Sequence, residues 1–565
     1  MSSHSTWIAL RACLLSLAVL LTGCSGVPGP DGPDDTLGVD FAIPDPASAA
    51  ADGAAIVFVV DGVNARLFQE MLEAGQLPAI EKHLARRGLY APRAVTGIPS
   101  VTLANLTGIA TGLLPGRHGI TGVRFFDPVS LVWRNYATIA QKNTVDDDYH
   151  ATTLFEHLGD RNTFAIFFQP HRGATRWVEN RYVGGAAFFL GYYRYIDRLT
   201  LSRFGMVAEA ARRHRRFPAL TIAYLLAPDF HAYGYGVHSL EYRQALRHTD
   251  RQIGRVLGDL DRAGLLDKLV IAFVADHGMG SVTRHFVLRD FLEDDLGLVL
   301  ADGEVWDNEP FEDRLAYYAR HTAVLATCGD RYAAITLRKP RPGTAGKPAF
   351  APWAVRPDPA DLRAWPVRTP ERRTVDLLDA LAGHQAVDAV AYRAGRGRAR
   401  VRTAAGEVEF ARTDDTTGAI SYRVLSGRDP LGWAGRVPRP LLAGEPADGR
   451  TWLKATCRTD MPDLPEQILT YFRSRRAGDI AVFAAPGWDF ENTNRAGHGG
   501  LRADDDMCVP LLIAGPGVPH GRLETVRAVD LVPTLLDLLG RPVPAGLDGK
   551  SLAPPPPGPG TANEP

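Results

Sequence analysis

The chain has 565 residues, 45% of them apolar and 22% charged, a length that calls for a large core with an insertion or a second domain. Lys and Arg number 63 against 64 Asp and Glu, which leaves a net charge of −1. That balance offers no electrostatic footprint for DNA or RNA and argues against a nucleic-acid partner.

The N-terminus reads as a targeting segment. Arg11 precedes the apolar run Leu14 to Leu21, which is too short to span a bilayer alone. The run ends in Leu21-Thr22-Gly23-Cys24, which resembles a bacterial lipobox and implies cleavage before a lipidated Cys24. Ser25 stands where an Asp would imply retention in the inner membrane. The expectation is an exported lipoprotein, on the outer rather than the inner membrane, facing periplasm or surface and held by its acyl chains. Residues 25–53, rich in Gly, Pro, Ala and Asp, read as a flexible tether. Cys328, Cys457 and Cys508 remain beyond the signal, without zinc-ligand spacing, and a Cys328–Cys457 bridge stays open.

Ala55 to Val60 is a continuous apolar run with β-branched residues, suited to a central parallel strand, and Asp61-Gly62 breaks it. An Asp at that point lies at the strand's carboxyl end, where open α/β sheets place ligands. Pro99 to Gly112 opens a buried helix with Thr102 at its start and Asn105 three residues on. A helix N-terminus suits a phosphoryl group, and a hydroxyl there becomes a nucleophile when a metal ion lowers its pKa. Leu220 to Leu226 is a second such run, ending in Ala227-Pro228-Asp229. Ser239 caps a core helix that Gly264 stops, and Leu269 to Ala275 delivers Asp276-His277-Gly278-Met279. Strand, ligand and helix in alternation imply an α/β fold with a mostly parallel sheet flanked by helices.

From about residue 331 the rhythm changes to Pro- and Arg-rich text and alternating strand-like pieces, which reads as an inserted α+β cap over 331–477 between core segments 54–330 and 478–552. No chemistry is legible in the cap. The core pattern resumes at Asp479 to Phe483, His498 lies in a Gly-rich loop, and Val509 to Ala514 is a last core strand. Residues 553–565 form a Pro-rich tail expected to be disordered. Asp146 to Asp148 and Asp504 to Asp506 read as solvated loops rather than calcium sites.

Asp61, Thr102, Asp229, Asp276 with His277, and His498 thus come from five separated segments, and their carboxylate and imidazole donors suit zinc first and manganese second. In that order they resemble the type I phosphodiesterase/nucleotide pyrophosphatase branch of the alkaline phosphatase superfamily. The motifs that carry the resemblance are Phe58-Val59-Val60-Asp61-Gly62, Thr102-Leu103-Ala104-Asn105, His118-Gly119-Ile120, Asp276-His277-Gly278-Met279, Gly497-His498-Gly499 and Val509-Pro510-Leu511. The resemblance implies an alkaline phosphatase-like fold, two divalent metal ions and a phospho-Thr102 intermediate. Asp61, Thr102, Asp276 and His277 would hold one ion, and Asp229 and His498 the other. Asn105 would bind a phosphoryl oxygen, while His118 matches a position that is not a ligand.

One departure stands out. The family pattern places a His four residues after the Asp of the second ion, and here that position is Tyr233. His231 is the candidate replacement ligand, with His238 an alternative. The implied activity is that of a phosphoric diester hydrolase, a phosphodiesterase acting on a small phosphodiester or nucleotide-like substrate. A binding lipoprotein with an incomplete second ion site and a head-group phosphotransferase are the rival readings.

Overall fold

The structure, a computed structural model, describes residues 53–554 apart from 139–140, 142, 180–182, 303–308, 343–348, 368–373 and 415–417. The lipobox cysteine, nearly all of the tether and the end of the tail lie outside the described residues. No described helix is long and apolar enough to cross a membrane.

The expected sheet is present. Ala55–Val60 lies at its centre, parallel to Leu220–Leu225 on one side and to Val270–Ala275 on the other. All three strands are fully buried, which explains runs apolar on both faces rather than alternating. The eight strands continue outward through Thr163–Ile166 and Arg176–Val178 on one flank, and through Cys508–Ala514, Gly88–Val95 and Gly521–Arg522 on the other. Cys508–Ala514 is antiparallel to both of its neighbours, so the sheet is mostly, not wholly, parallel.

Register sets the site. Val60 pairs with Leu225 and with Ala275, so Asp61, Leu226 and Asp276 emerge together at one carboxyl edge. The helix Leu240–Arg262, capped by the Ser239 hydroxyl on the Tyr242 amide, packs Leu246, Ile253, Val256, Leu257 and Leu260 into the core. Its Tyr242 phenol donates to the Gly62 carbonyl at 2.8 Å and accepts from the Asn64 amide at 3.0 Å, which fixes the loop that carries Asp61.

A second eight-stranded sheet, mostly antiparallel, runs Leu300–Ala301, Ala323–Cys328, Tyr332–Leu337, Ile480–Ala484, Val387–Gly395, Arg398–Thr403, Gly406–Arg412 and Ile420–Gly427. Ile480–Ala484 therefore joins this sheet and not the first, contrary to the sequence reading. An apolar run records that a strand is buried but not which sheet buries it. The 330/331 boundary falls in the turn between two paired strands of this sheet, Ala323–Cys328 and Tyr332–Leu337. Cys328, Cys457 and Cys508 are all buried free thiols.

Candidate metal centre

Three loops at the sheet edge and two from outside it converge. Asp61, Asp276 and His277 each offer a ligand atom within 4.8 Å of the others, and so do Asp229, His277 and His498. All five residues are at most 4% exposed. Thr102 is the first residue of the helix Thr102–Thr111, which has no side-chain cap at its N-terminus and ends at Gly112 with φ +71°. The Thr102 Oγ1 lies 3.1 Å from His277 Nε2.

Both imidazoles are held in one tautomer. His277 Nδ1 donates to the Gly278 carbonyl at 2.8 Å and His498 Nδ1 to the Ser100 carbonyl at 3.0 Å. Each Nε2 is left as a lone-pair donor, the arrangement that metal-binding histidines adopt. The rings stack with centroids 3.5 Å apart. Burial drives the His498 pKa well below its usual value, and the adjacent His277 adds to this, so the ring is neutral and ready to ligate.

The carboxylates point to cations. Asp61 Oδ1, Asp229 Oδ1 and Asp276 Oδ2 are buried with no hydrogen-bond partner. Burial raises the carboxyl pKa of Asp229 and of Asp276 far above the usual range, and Asp61 beside each raises it further. Orphaned anionic oxygens packed together are costly without a compensating positive charge. The donor set therefore fits divalent ions.

Asp229 sits in the first turn of the helix Ala227–Tyr235, whose start is fixed by the buried Asp197: its carboxylate accepts from the Leu226 amide at 2.8 Å and the Ala227 amide at 3.2 Å. Sequence reading missed Asp197, because nothing near it marks a cap acting 30 residues away. Gly62, with φ +64°, is what lets Asp229 approach.

Two expected ligands do not fit. Asn105 has no free amide: its Oδ1 accepts from the Gly97 amide at 2.7 Å, and its Nδ2 donates to Pro99 and Val101 carbonyls at 3.0 and 3.1 Å. It shapes the loop leading into Thr102 and does not present a donor to a phosphoryl oxygen. His231 belongs to neither ligand group. Two residues past Asp229 means about 200° around the helix, so its ring turns away, bonds the Ala227 carbonyl at 2.7 Å and packs against Tyr193 and Tyr235. His238 is exposed. Tyr233 is the residue that does face the centre, its ring 5.8 Å from that of His498. Burial, then the charges of Asp330 and Asp229, keep its phenol protonated.

The acidic triplets are solvated only in part, with Asp147 exposed and Asp504 half-exposed. Asp148 is bound by Arg134 and by Tyr136, and Asp506 is fully buried beside Arg331. His118 is a buried neutral ring accepting from the Ile120 amide, consistent with a structural role.

A family model described as type I phosphodiesterase/nucleotide pyrophosphatase matches residues 55–340. The chain belongs to this family. Ectonucleotide pyrophosphatase/phosphodiesterase family member 1 of Homo sapiens is 25% identical over 260 residues, covering 42% of this chain and 25% of the human protein. A pyrophosphatase/phosphodiesterase of Schizosaccharomyces pombe is 24% identical over 231 residues, covering 40% of this chain and 44% of the yeast protein. The matches thus span between a quarter and under half of these relatives' lengths. Among solved structures, an inactive murine ectonucleotide pyrophosphatase/phosphodiesterase 5 in complex with AMP superposes with a TM-score of 0.53 at 14% identity, over 87% of this chain and 96% of that one. The fold is accordingly alkaline phosphatase-like, with the second sheet as its added part.

For this member of the family, Gly62→Ala is a direct probe of the centre. A Cβ at Gly62 would lie 2.7 Å from Asp229 Oδ1 and 2.8 Å from its Cα, a backbone contact that cannot simply swing aside. The substitution is expected to weaken divalent-ion binding by about 10- to 100-fold, measured by manganese titration of the chelator-treated protein.

Proposed function

We propose that the protein is a metal-dependent phosphodiesterase of the nucleotide pyrophosphatase type, with Thr102 as nucleophile. The observation that carries this reading is the meeting of a helix-opening hydroxyl with three orphaned carboxylate oxygens and two tautomer-locked imidazoles. Two divalent ions, one on Asp61, Thr102, Asp276 and His277 and the other on Asp229 and His498, would supply positive charge that acidifies the Thr102 hydroxyl and offsets charge developing at phosphorus. Zinc is the first candidate and manganese the second.

Thr102 Oγ1 attacks phosphorus in line, forming a Thr–O–P bond as the bond to the leaving oxygen breaks. Water then cleaves that ester from the opposite side and frees the hydroxyl. The uncapped N-terminus of the Thr102 helix points backbone N–H groups at the equatorial oxygens. Asn105 contributes by holding the Gly97–Val101 loop, not by touching substrate. A small phosphodiester or nucleotide-like substrate agrees with the family and with the AMP named for the murine relative. Lipid attachment at Cys24 and an exported, outer-membrane location are part of the same proposal.

The test is hydrolysis of bis(4-nitrophenyl) phosphate by the full chain. Activity that disappears on chelation and returns with zinc or manganese supports the reading. Tyr233 favours one rival, a binding protein with an unfinished second site. Silence with both metals, and activity emerging only in Tyr233→His, would establish that rival.

A further inference from the structure

A cleft of about 530 Å³ opens along the segments that carry the metal centre, a volume in the range of small-molecule sites. Residues 235–239 run on from the Asp229 helix, 281–285 follow the loop of Asp276 and His277, and 493–495 lead into His498. These walls are tied to one another. The Arg495 amide donates to the Tyr233 carbonyl at 3.0 Å, and the Val282 amide donates to the Arg495 carbonyl at 3.0 Å. Ala496 and Gly497 then pair with Ser281 and Gly280, so the cleft and the centre share one framework.

The lining suits an anion. Arg495 is exposed, and its guanidinium has no hydrogen-bond or ion-pair partner among the described residues. No described carboxylate lines the cleft, and the hydroxyls of Ser281 and Thr283 stand along the same wall. Two carboxylates that adjoin the walls are already taken by lining side chains. His285 Nδ1 donates to Oδ1 of the fully buried Asp489 at 2.9 Å, and Asn494 Nδ2 donates to Asp330 Oδ2. The first of these bonds also fixes the His285 ring at the far end of the cleft. Four residues of strand separate it from Ser281, about 13 Å.

We propose that this cleft is a distal substrate subsite, in which Arg495 takes a second phosphate group carried on the same molecule as the scissile diester. The inference rests on the phosphodiesterase reading above and names its substrate class: a diester that bears a further phosphate roughly one nucleotide unit from the reacting phosphorus. Three residues of extended chain separate Arg495 from His498, about 10 Å, and the long arginine side chain can cover part of that distance. A guanidinium fork matches two phosphate oxygens at once, and the Ser281 and Thr283 hydroxyls can donate to others. Arg495 is thus a specificity residue, and the reaction at Thr102 does not pass through it.

The experiment compares thymidine 5′-phosphate with thymidine 3′,5′-bisphosphate as ligands of the zinc-loaded full chain, by calorimetry. The 5′-(4-nitrophenyl) esters of the same two compounds serve as substrates. The wild type is expected to bind the bisphosphate about 10-fold more tightly, and to hydrolyse its ester with a KM lower by a similar factor. Arg495→Gln is expected to bring the two ligands to equal affinity and the two esters to equal KM. Arg495→Lys keeps the charge without the fork and is expected to recover part of the preference. Equal affinity for the two ligands in the wild type, or a preference that survives in Arg495→Gln, would overturn the subsite and leave the phosphodiesterase reading standing. An Arg495-dependent preference in binding, with neither ester hydrolysed, would uphold the phosphate contact and overturn that reading instead.

Discussion

Thr102→Ala is expected to abolish phosphodiester turnover, by roughly 10⁴-fold or more, without unfolding the protein. In the proposed mechanism the hydroxyl is both the attacking atom and a donor to one ion, so its loss would remove the covalent route instead of slowing one step of it. The fold has little at stake in this residue. Thr102 is half-buried and lies at the first helical position, not at the cap, which is Val101 and makes no side-chain cap bond. Alanine is a good helix former there, and thermal unfolding should shift little. Thr102→Ser keeps the oxygen and is expected to retain most of the activity. Acid quenching during turnover of bis(4-nitrophenyl) phosphate should leave a 4-nitrophenyl phosphoryl ester on the Thr102 peptide of the wild type and none on that of the alanine variant. Substantial activity in Thr102→Ala would transfer the attack to water and remove the covalent intermediate.

What could be read from the sequence, and what could not, follows from how far each side chain's position depends on its own neighbourhood. Asp61 and Asp276 were legible because parallel strands in register end together, so an Asp directly after each apolar run reaches the same edge. Thr102 was legible because a helix start is a local signal. His498 was legible only through the family motif, since a Gly-rich loop has no periodicity of its own. Asn105 misled for the opposite reason. Its spacing from Thr102 is right for one helix face, but the Gly97–Val101 loop folds back and consumes its amide. His231 was misplaced by proximity in sequence, which is not proximity around a helix. The turn at Asp330 was illegible as a neighbour of the site because Gly-Asp between two apolar runs is an ordinary turn signal. Nothing in that turn discloses that the second sheet inserts it beside His498.

The same turn carries the second large effect. Arg331 is fully buried, with its Nη1 3.2 Å from Asp506 Oδ1 and 3.7 Å from Asp505 Oδ2. Asp506 Oδ1 also accepts from the Gly500 amide at 3.0 Å, and its backbone carbonyl accepts from the Gly278 amide at 2.9 Å. The pair therefore joins the His498 loop to the loop carrying Asp276 and His277. Removing one partner of a buried pair leaves an uncompensated charge and costs about 3–5 kcal/mol. Arg331→Ala should show a cost of this size that grows with pH. Burial raises the Asp506 pKa to about 7 even though Arg331 pulls it down. A folded-state pKa above the unfolded one means that stability is fullest at low pH and falls as pH rises to about 7. Without Arg331 the folded pKa climbs further, so the decline extends to higher pH. In urea unfolding, the variant should lie close to the wild type when Asp506 is protonated in both and fall well below it in mildly alkaline buffer. A penalty independent of pH would mean that Arg331 acts by filling space rather than by holding the Asp506 charge, and the two metal loops would then owe their spacing to packing alone.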